Sequence, residues 1–400
     1  MKKIISLLLI SLAITGCSGK TSSNYYRQIS MDDGSNSIVG RYPISDELGK
    51  KVNSYHFIYD KDGRIEKVEF LKAGKLSNSQ MMSNLQMIEF ASMTIGYKEG
   101  FESRIFQDKN GHPAFIEGIN SIRFKLDEKN HRISLFNYDK DGNSTKDAKG
   151  VFQYIFTVDE NGRRITSVCV DEKGNRISDK QGVYEMRFKY DKEGNLIEKS
   201  NYAKGGLFVE DEKGVAIMRM VYDETGNMIE VKNFGTDEQP KEDKKGVFMK
   251  RITYNESGNI IEGKMFGTDE QLKDVGGQAI MRMVYDETGN MIERKSFGVD
   301  EQLKEDESGT AIASYKYDNG GDVIEVRLFG IDERLKENKD GTAMMRLKYD
   351  EKGNLIETKV FGADEQLKAS GVAIVRTEFN KDDEVVKTIY LDKSEKVIKF

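Results

Sequence analysis

The sequence predicts an all-β protein built as an elongated repeat sheet, and three observations carry that expectation. First, a string recurs every 31–32 residues: Tyr-Asp-Glu-Thr-Gly-Asn-Met-Ile-Glu begins at Tyr222 and again at Tyr285, with related strings at Tyr190, Tyr254, Tyr317 and Tyr349. The same register lands on Leu126, Val158 and Phe379, and a glycine precedes each anchor by eight residues, from Gly118 and Gly150 to Gly371. Second, the stretch before an anchor alternates: Ala216, Met218, Met220 and Tyr222 fall on one face while Arg219 falls on the other, as in a half-buried strand. Third, each anchor leads into an Asp- and Gly-containing turn, after which Ile229 and Val231 resume the alternation. One hairpin cannot bury a face alone, so about 10–11 units of 31–32 residues are expected to stack, extending roughly 100 Å at about 4.8 Å per strand.

The chain begins with Lys2 and Lys3, an apolar run from Ile4 to Ala13 that is too short to span a bilayer, and Ile14-Thr15-Gly16-Cys17. This start resembles the lipobox of bacterial lipoproteins. The resemblance implies that residues 1–16 are a signal peptide and that Cys17 becomes the acylated N-terminus, carrying palmitate-type chains. At about 0.8 kcal/mol per buried methylene, two or three chains make a stable membrane anchor. Ser18, where an inner-membrane retention signal would have Asp, implies the outer membrane if the envelope is Gram-negative.

Residues 17–36 are polar and aperiodic and are expected to be a flexible tether. Residues 37–117 form divergent N-terminal repeats: one copy lies at Tyr59, with Asp60-Lys61-Asp62-Gly63, and a degenerate one lies around 90–106. Between them an insertion at 77–87 is expected to be a short helix. The regular β-hairpin repeats occupy 118–400. If Asp223–Gly226 is the loop, Arg219 pairs with Glu230, and the same arithmetic pairs Arg187 with Glu198, Arg251 with Glu262, Arg282 with Glu293 and Arg346 with Glu357.

The Tyr-Asp-x-x-Gly-Asn strings resemble the YD repeats of bacterial Rhs-type surface and toxin-shell proteins, best over residues 118–380. The resemblance implies β-hairpin architecture and a cell-surface tendency, and it implies no activity.

Composition excludes some functions. The chain carries 62 Lys+Arg against 68 Asp+Glu, and loss of Lys2 and Lys3 takes the net charge from −6 to −8. No nucleic-acid partner is expected, because counterion release from phosphates needs a basic face. His56, His112 and His131 lack metal-ligand spacing. The string Asn137 to Gly142 mimics half of a calcium loop, but Ala148 stands where the bidentate Glu belongs. Cys169, between Val168 and Val170, is expected to be a buried small hydrophobe. No cofactor, metal or catalytic residue is expected.

Each second strand closes at an aromatic followed by glycine and then acids. Phe234 and Asp237, Phe266 and Asp269, Phe297 and Asp300, Phe329 and Asp332, and Phe361 and Asp364 therefore form a candidate contact strip. The same pattern also fits a rim whose Phe covers the core and whose acids keep it soluble. Two functional readings follow. One is a lipid-anchored, non-enzymatic envelope protein that binds a protein or polymer partner along its acidic repeat surface. The other is a divergent envelope enzyme with its site in the irregular N-terminal repeats.

Overall fold

The computed structural model describes residues 21–31, 35–82, 87–114, 119–368, 371–381 and 383–399. The lipobox and Cys17 lie outside the described residues. The molecule is almost entirely antiparallel β-structure: one 25-stranded sheet and one separate two-stranded sheet among the described residues. The first elements are β1 (Ser22–Met31), β2 (Ile38–Ile44), a one-turn helix α1 (Asp46–Gly49), β3 (Ser54–Tyr59), β4 (Ile65–Lys72) and β5 (Lys75–Leu76). Then come β6 (Ser79–Met82), β7 (Met87–Phe90), β8 (Ser92–Lys98) and β9 (Phe101–Gln107). Nine regular hairpins follow, from β10 (Ser121–Leu126) paired with β11 (Arg132–Tyr138) to β26 (Ile374–Phe379) paired with β27 (Val385–Leu391).

The pairings order the sheet as β2–β1–β3–β4–β8–β9–β10 and then follow the chain. The hairpins β3–β4 and β8–β9 are the divergent copies expected at Tyr59 and around 90–106. Two expectations are corrected. Within the tether span, Ser22–Met31 is a ten-residue strand, because Tyr25 and Ile29 are buried and Tyr25 stacks on His56 at 4.3 Å. The insertion at 77–87 is not helical: Ser79–Met82 pairs with Met87–Phe90 as a hairpin whose loop, 83–86, is outside the described residues.

The register within each hairpin differs from the expected one by two residues. The turn has five residues, not four: Asp223 N–H donates to Asn227 O and Gly226 N–H to Asp223 O, both at 2.9 Å. A bulge beside Tyr222 then consumes Ile229, so Tyr222 faces Met228 while Val221 faces Glu230. An even shift preserves the faces, so apolar residues still meet apolar residues, but Arg219 now lies opposite Lys232. The acids pair across units instead. Arg219 bonds Glu198 at 2.9 Å, Arg251 bonds Glu230 at 2.8 Å, Arg282 bonds Glu262 at 2.7 Å, Arg346 bonds Glu325 at 3.1 Å and Arg376 bonds Glu357 at 2.7 Å. Arg187 instead bonds Glu185 in its own strand at 2.6 Å. Burial alone would raise the Glu325 carboxyl, but hydrogen bonds from Arg327, Lys316 and Arg346 outweigh it and hold the group at about 2.

A double-mutant cycle separates the two registers. Reversing Arg282 and Glu262 together should recover part of what either reversal loses, with a coupling of about 0.3–1 kcal/mol that shrinks in high salt. Arg282 and Glu293 should show none, because Glu293 lies opposite Val284 and Ser314. Urea midpoints of the four variants in each cycle provide the check.

The ribbon is not straight. Its first strands lie against the tips of hairpins far along the chain. Arg41 on β2 donates to the carbonyls of Gly226 and Thr225, and the Asn227 amide donates to Tyr42 Oη at 2.6 Å. Gln28 donates to Asn259 at 2.8 Å, Arg27 to Thr288 O at 3.0 Å and Asn53 to Asn290 at 2.8 Å. Further on, Lys72 donates to Gly321 O at 3.1 Å and Lys109 to Gly353 O. Each contact joins strands about fourteen positions apart in the sheet order, so at about 4.8 Å per strand one turn of the coil has a perimeter near 70 Å. The sheet is a coil whose second turn rests its hairpin tips on the far ends of the first-turn strands. Its edges, β2 and β27, do not pair with each other.

Burial is local and repeated. In the N-terminal half, Ile29 and Ile38 pack with Phe57, Val68, Met93, Ile95 and Phe106. In the regular part, Met218, Met220 and Met228 pack with Phe188 and Leu196 on one face, and Ile217, Phe234, Met249 and Phe266 pack on the other. The repeat anchor Tyr285 is half-buried and donates its hydroxyl to Ile260 O at 3.0 Å.

Candidate binding surface

The expected strip forms a regular rim. Each Phe ends its strand and bridges backward to a residue six positions on, Phe266 to Leu272 and Phe297 to Leu303 for example. The connecting bend is held by the aspartates. Asp237 Oδ1 accepts the Gln239 N–H at 3.0 Å, and Asp269, Asp300, Asp332 and Asp364 hold Gln271, Gln302, Arg334 and Gln366 in the same way at 2.9–3.1 Å. This bend puts the next residue at positive φ: Glu238, Glu270, Glu301, Glu333 and Glu365 have φ of 58–62°. Such values are uncommon for a residue with a Cβ. Nothing in the repeat string flagged them, because Gly or Asn is the usual signal for that conformation.

The structure separates the two halves of the strip. Phe234, Phe266 and Phe361 are buried, and Phe297 and Phe329 are half-buried. Guanidinium groups cover four of the rings: Arg219 over Phe234 at 4.4 Å, Arg251 over Phe266 at 5.0 Å, Arg282 over Phe297 at 4.5 Å and Arg346 over Phe361 at 5.1 Å. The five aspartates are exposed. Neighbouring units are tied along this rim by Lys241–Glu210, Lys273–Glu242, Lys304–Asp274 and Lys336–Glu305 ion pairs. A partner approaching the rim meets a row of carboxylates at a fixed period, with the aromatics beneath it.

The irregular N-terminal repeats hold a cluster that sequence reasoning missed. Glu102 and Arg104, each 1% exposed, come from β9, and Arg132 comes from β11. Glu102 Oε1 accepts Arg104 Nε at 2.7 Å, and its Oε2 accepts Arg132 Nη2 at 2.5 Å. Burial on its own would raise the Glu102 carboxyl, but the two guanidinium groups outweigh it and lower the pKa. Arg104 donates to Asn36 O at 2.6 Å and Arg132 to Ser35 O at 3.0 Å, and both lie over the Phe124 ring at 4.8 and 5.5 Å. The cluster fastens the segment after β1 to the first turn of the coil. Its sequence signal is weak, since a Glu followed two residues on by Lys or Arg recurs along the repeats, at Glu230-Val-Lys232, Glu262-Gly-Lys264, Glu325-Val-Arg327 and Glu357-Thr-Lys359 for example.

The histidines are not brought together. His56 contacts Glu69 at 3.1 Å, His112 contacts Asp108 at 3.4 Å and His131 contacts Asp127 at 3.1 Å, each within its own hairpin. Asp139 holds its own turn, accepting the Asn143 N–H at 2.9 Å. Cys169 is buried, and burial pushes its thiol up to about 12.

No family model matches the chain, and no curated protein matches it. Among solved structures it is similar to the crystal structure of TcdB2-TccC3-Cdc42, with 14% identity, a TM-score of 0.27 and coverage of 88% of this chain and 20% of that one. It is similar also to the Photorhabdus luminescens Tc holotoxin pore, with 14% identity, a TM-score of 0.27 and coverage of 86% and 19%. A porin-like protein from Bacteroides uniformis aligns at 9% identity and a TM-score of 0.18, covering 69% of this chain and 81% of that one. The chain thus spans about a fifth of the length of the toxin chains, and TM-scores of this size do not establish a common overall fold.

Proposed function

We propose that this chain is a lipid-anchored, non-enzymatic envelope protein that binds a cationic or cation-bridged protein or polymer along its acidic rim. The observation that supports the reading most is the repetition of one exposed aspartate bend at Asp237, Asp269, Asp300, Asp332 and Asp364, in fixed register along one edge of a single sheet. A catalytic group needs to occur once, whereas a surface that grips an extended partner gains from every copy. The lipobox resemblance supplies the anchor, with Cys17 as the acylated residue and the outer membrane as the site in a Gram-negative envelope.

The test uses the full chain. Replacing the five aspartates by asparagine keeps an oxygen acceptor for each bend and removes five charges. It should leave thermal unfolding within a few degrees while abolishing capture of the envelope partner, because single exposed acids contribute little and only their sum is measurable. Cys17→Ser in the same assay should move the chain from the membrane to the soluble fraction. Partner capture that survives the fivefold change returns the rim to a solubilising role, and membrane retention of the serine variant removes the lipid anchor.

A further inference from the structure

The chain enters the coil at one end, and the acidic rim lies at the other. β1 starts at Ser22, which pairs with Tyr59 beside the tip turn of the β3–β4 hairpin, where Asp60 N–H donates to Arg64 O at 2.8 Å. This is the lower end of the coil. From it β3 runs six residues up to Ser54. There the tip of the hairpin that ends in β21 (Met291–Phe297) rests on the first turn, through Arg27 with Thr288 and Asn53 with Asn290. β21 adds seven residues before the rim bend at Asp300. At about 3.3 Å per residue, the two strand lengths put the rim about 40 Å from the lower end.

Only residues 18–21 separate Cys17 from Ser22, and in any conformation that stretch reaches no further than about 18 Å. A lipid on Cys17 therefore keeps Ser22 close to the bilayer, and the coil is too tall for its rim to be turned onto the same surface. The charges divide in the same way. In the tip turns of the lower end they are paired: Arg64 bonds Asp60 at 2.8 Å and Asp62 at 3.1 Å, and Lys98 meets Glu99 at 3.5 Å. The rim presents five exposed aspartates, which an anionic lipid surface repels. A coil lying on its side would bring the nearest of them to that surface. We infer that the coil stands end-on on a lipid bilayer, with the tip turns of its first hairpins toward the headgroups and the acidic rim facing away into the aqueous space. The inference rests on the lipid anchor at Cys17 proposed above. It adds that the rim meets its partner about 40 Å above the membrane and not within it.

The test uses the full lipidated chain in vesicles of phosphatidylethanolamine and phosphatidylglycerol that also carry a nickel-chelating lipid. A nitroxide is attached to Lys61→Cys in the lowest tip turn or to Val299→Cys beside Asp300, both exposed positions, while the buried Cys169 stays unlabelled. Val299 follows β21, whose hairpin tip rests beside β3, so it stands above Ser22 on the same side of the coil. An upright coil and a fallen one therefore differ most at this pair. Nickel-induced relaxation should be more than about tenfold stronger at the first label than at the second, given a tether of about 18 Å against a height of about 40 Å. Equal relaxation at both labels, or none at either in a chain that floats with the vesicles, overturns the end-on arrangement and leaves the anchor standing. Cys17→Ser should fail to float. Flotation of that variant, or failure of the parent chain to float, removes the anchor and the inference with it.

Discussion

Glu102→Ala should destabilise the N-terminal half of the coil by about 3–5 kcal/mol, because it leaves the buried guanidinium of Arg104 and the half-buried one of Arg132 without the carboxylate they share. Arg104 is 1% exposed, so water cannot replace the lost partner. Burial lowers its pKa, and the variant would take from this buried charge the carboxylate that offsets it. Glu102→Gln keeps an acceptor oxygen but no charge and should fall between the variant and the parent. Urea unfolding followed by near-ultraviolet circular dichroism is the check, and a midpoint unchanged from the parent contradicts the role assigned to the cluster. Since Arg104 and Arg132 also hold the carbonyls of Asn36 and Ser35, the same variant should release this segment first.

Phe57→Ala should cost about 3–5 kcal/mol through lost burial and the cavity it leaves. Phe57 is 1% exposed, meets Tyr26 edge-on at 5.0 Å and packs in the cluster that joins β1 and β2 to the first turn. Repeat arrays couple mainly to neighbours, so the damage should be confined in space rather than in sequence. Hydrogen exchange should speed up in β1 to β4 and also at the tips near Thr225 and Thr288, which those strands hold. Protection from β26 to β27 should be unchanged. Uniform loss along the chain contradicts the local-coupling picture.

The repeat architecture was legible because it is written in columns: a glycine, an alternating run, an Asp-Gly turn and a closing aromatic. Those columns fix hairpins and faces, since a period of two cannot serve any other element. Register was not legible from the charges, because Arg and Glu satisfy each other equally well across a hairpin or between hairpins. The asparagine that follows the turn glycine in five copies, at Asn195, Asn227, Asn259, Asn290 and Asn354, was the missed signal for a five-residue turn. Its side chain ties back to the turn's first residue in several copies, Asn227 to Asp223 at 2.9 Å for example.

The coil was illegible for a different reason. Its contacts join Arg27, Arg41, Lys72 and Lys109, which follow no period, to backbone carbonyls, which every sequence supplies, and Asn53 to the side chain of Asn290. The polar stretch expected as a tether became β1 for the same reason: Tyr25 and Ile29 gain burial only once β3 and the first turn are in place. Of the candidate strip, the periodic acids were readable, whereas the covering of its phenylalanines by arginines depends on the register that the charges alone did not reveal.

Whether the first turn rests on the tips of the second is the central structural claim, and one cross-link tests it. A Cβ placed on Gly289 lies 3.7 Å from the Asn53 Cβ, within the separation of about 3.5–4.5 Å that a disulfide spans. Asn53→Cys with Gly289→Cys should therefore oxidise to an intramolecular disulfide joining residues far apart in sequence, identified by mass spectrometry of the non-reduced digest. A chain in which both thiols stay free under oxidation, while the parent fold is retained, contradicts the coil.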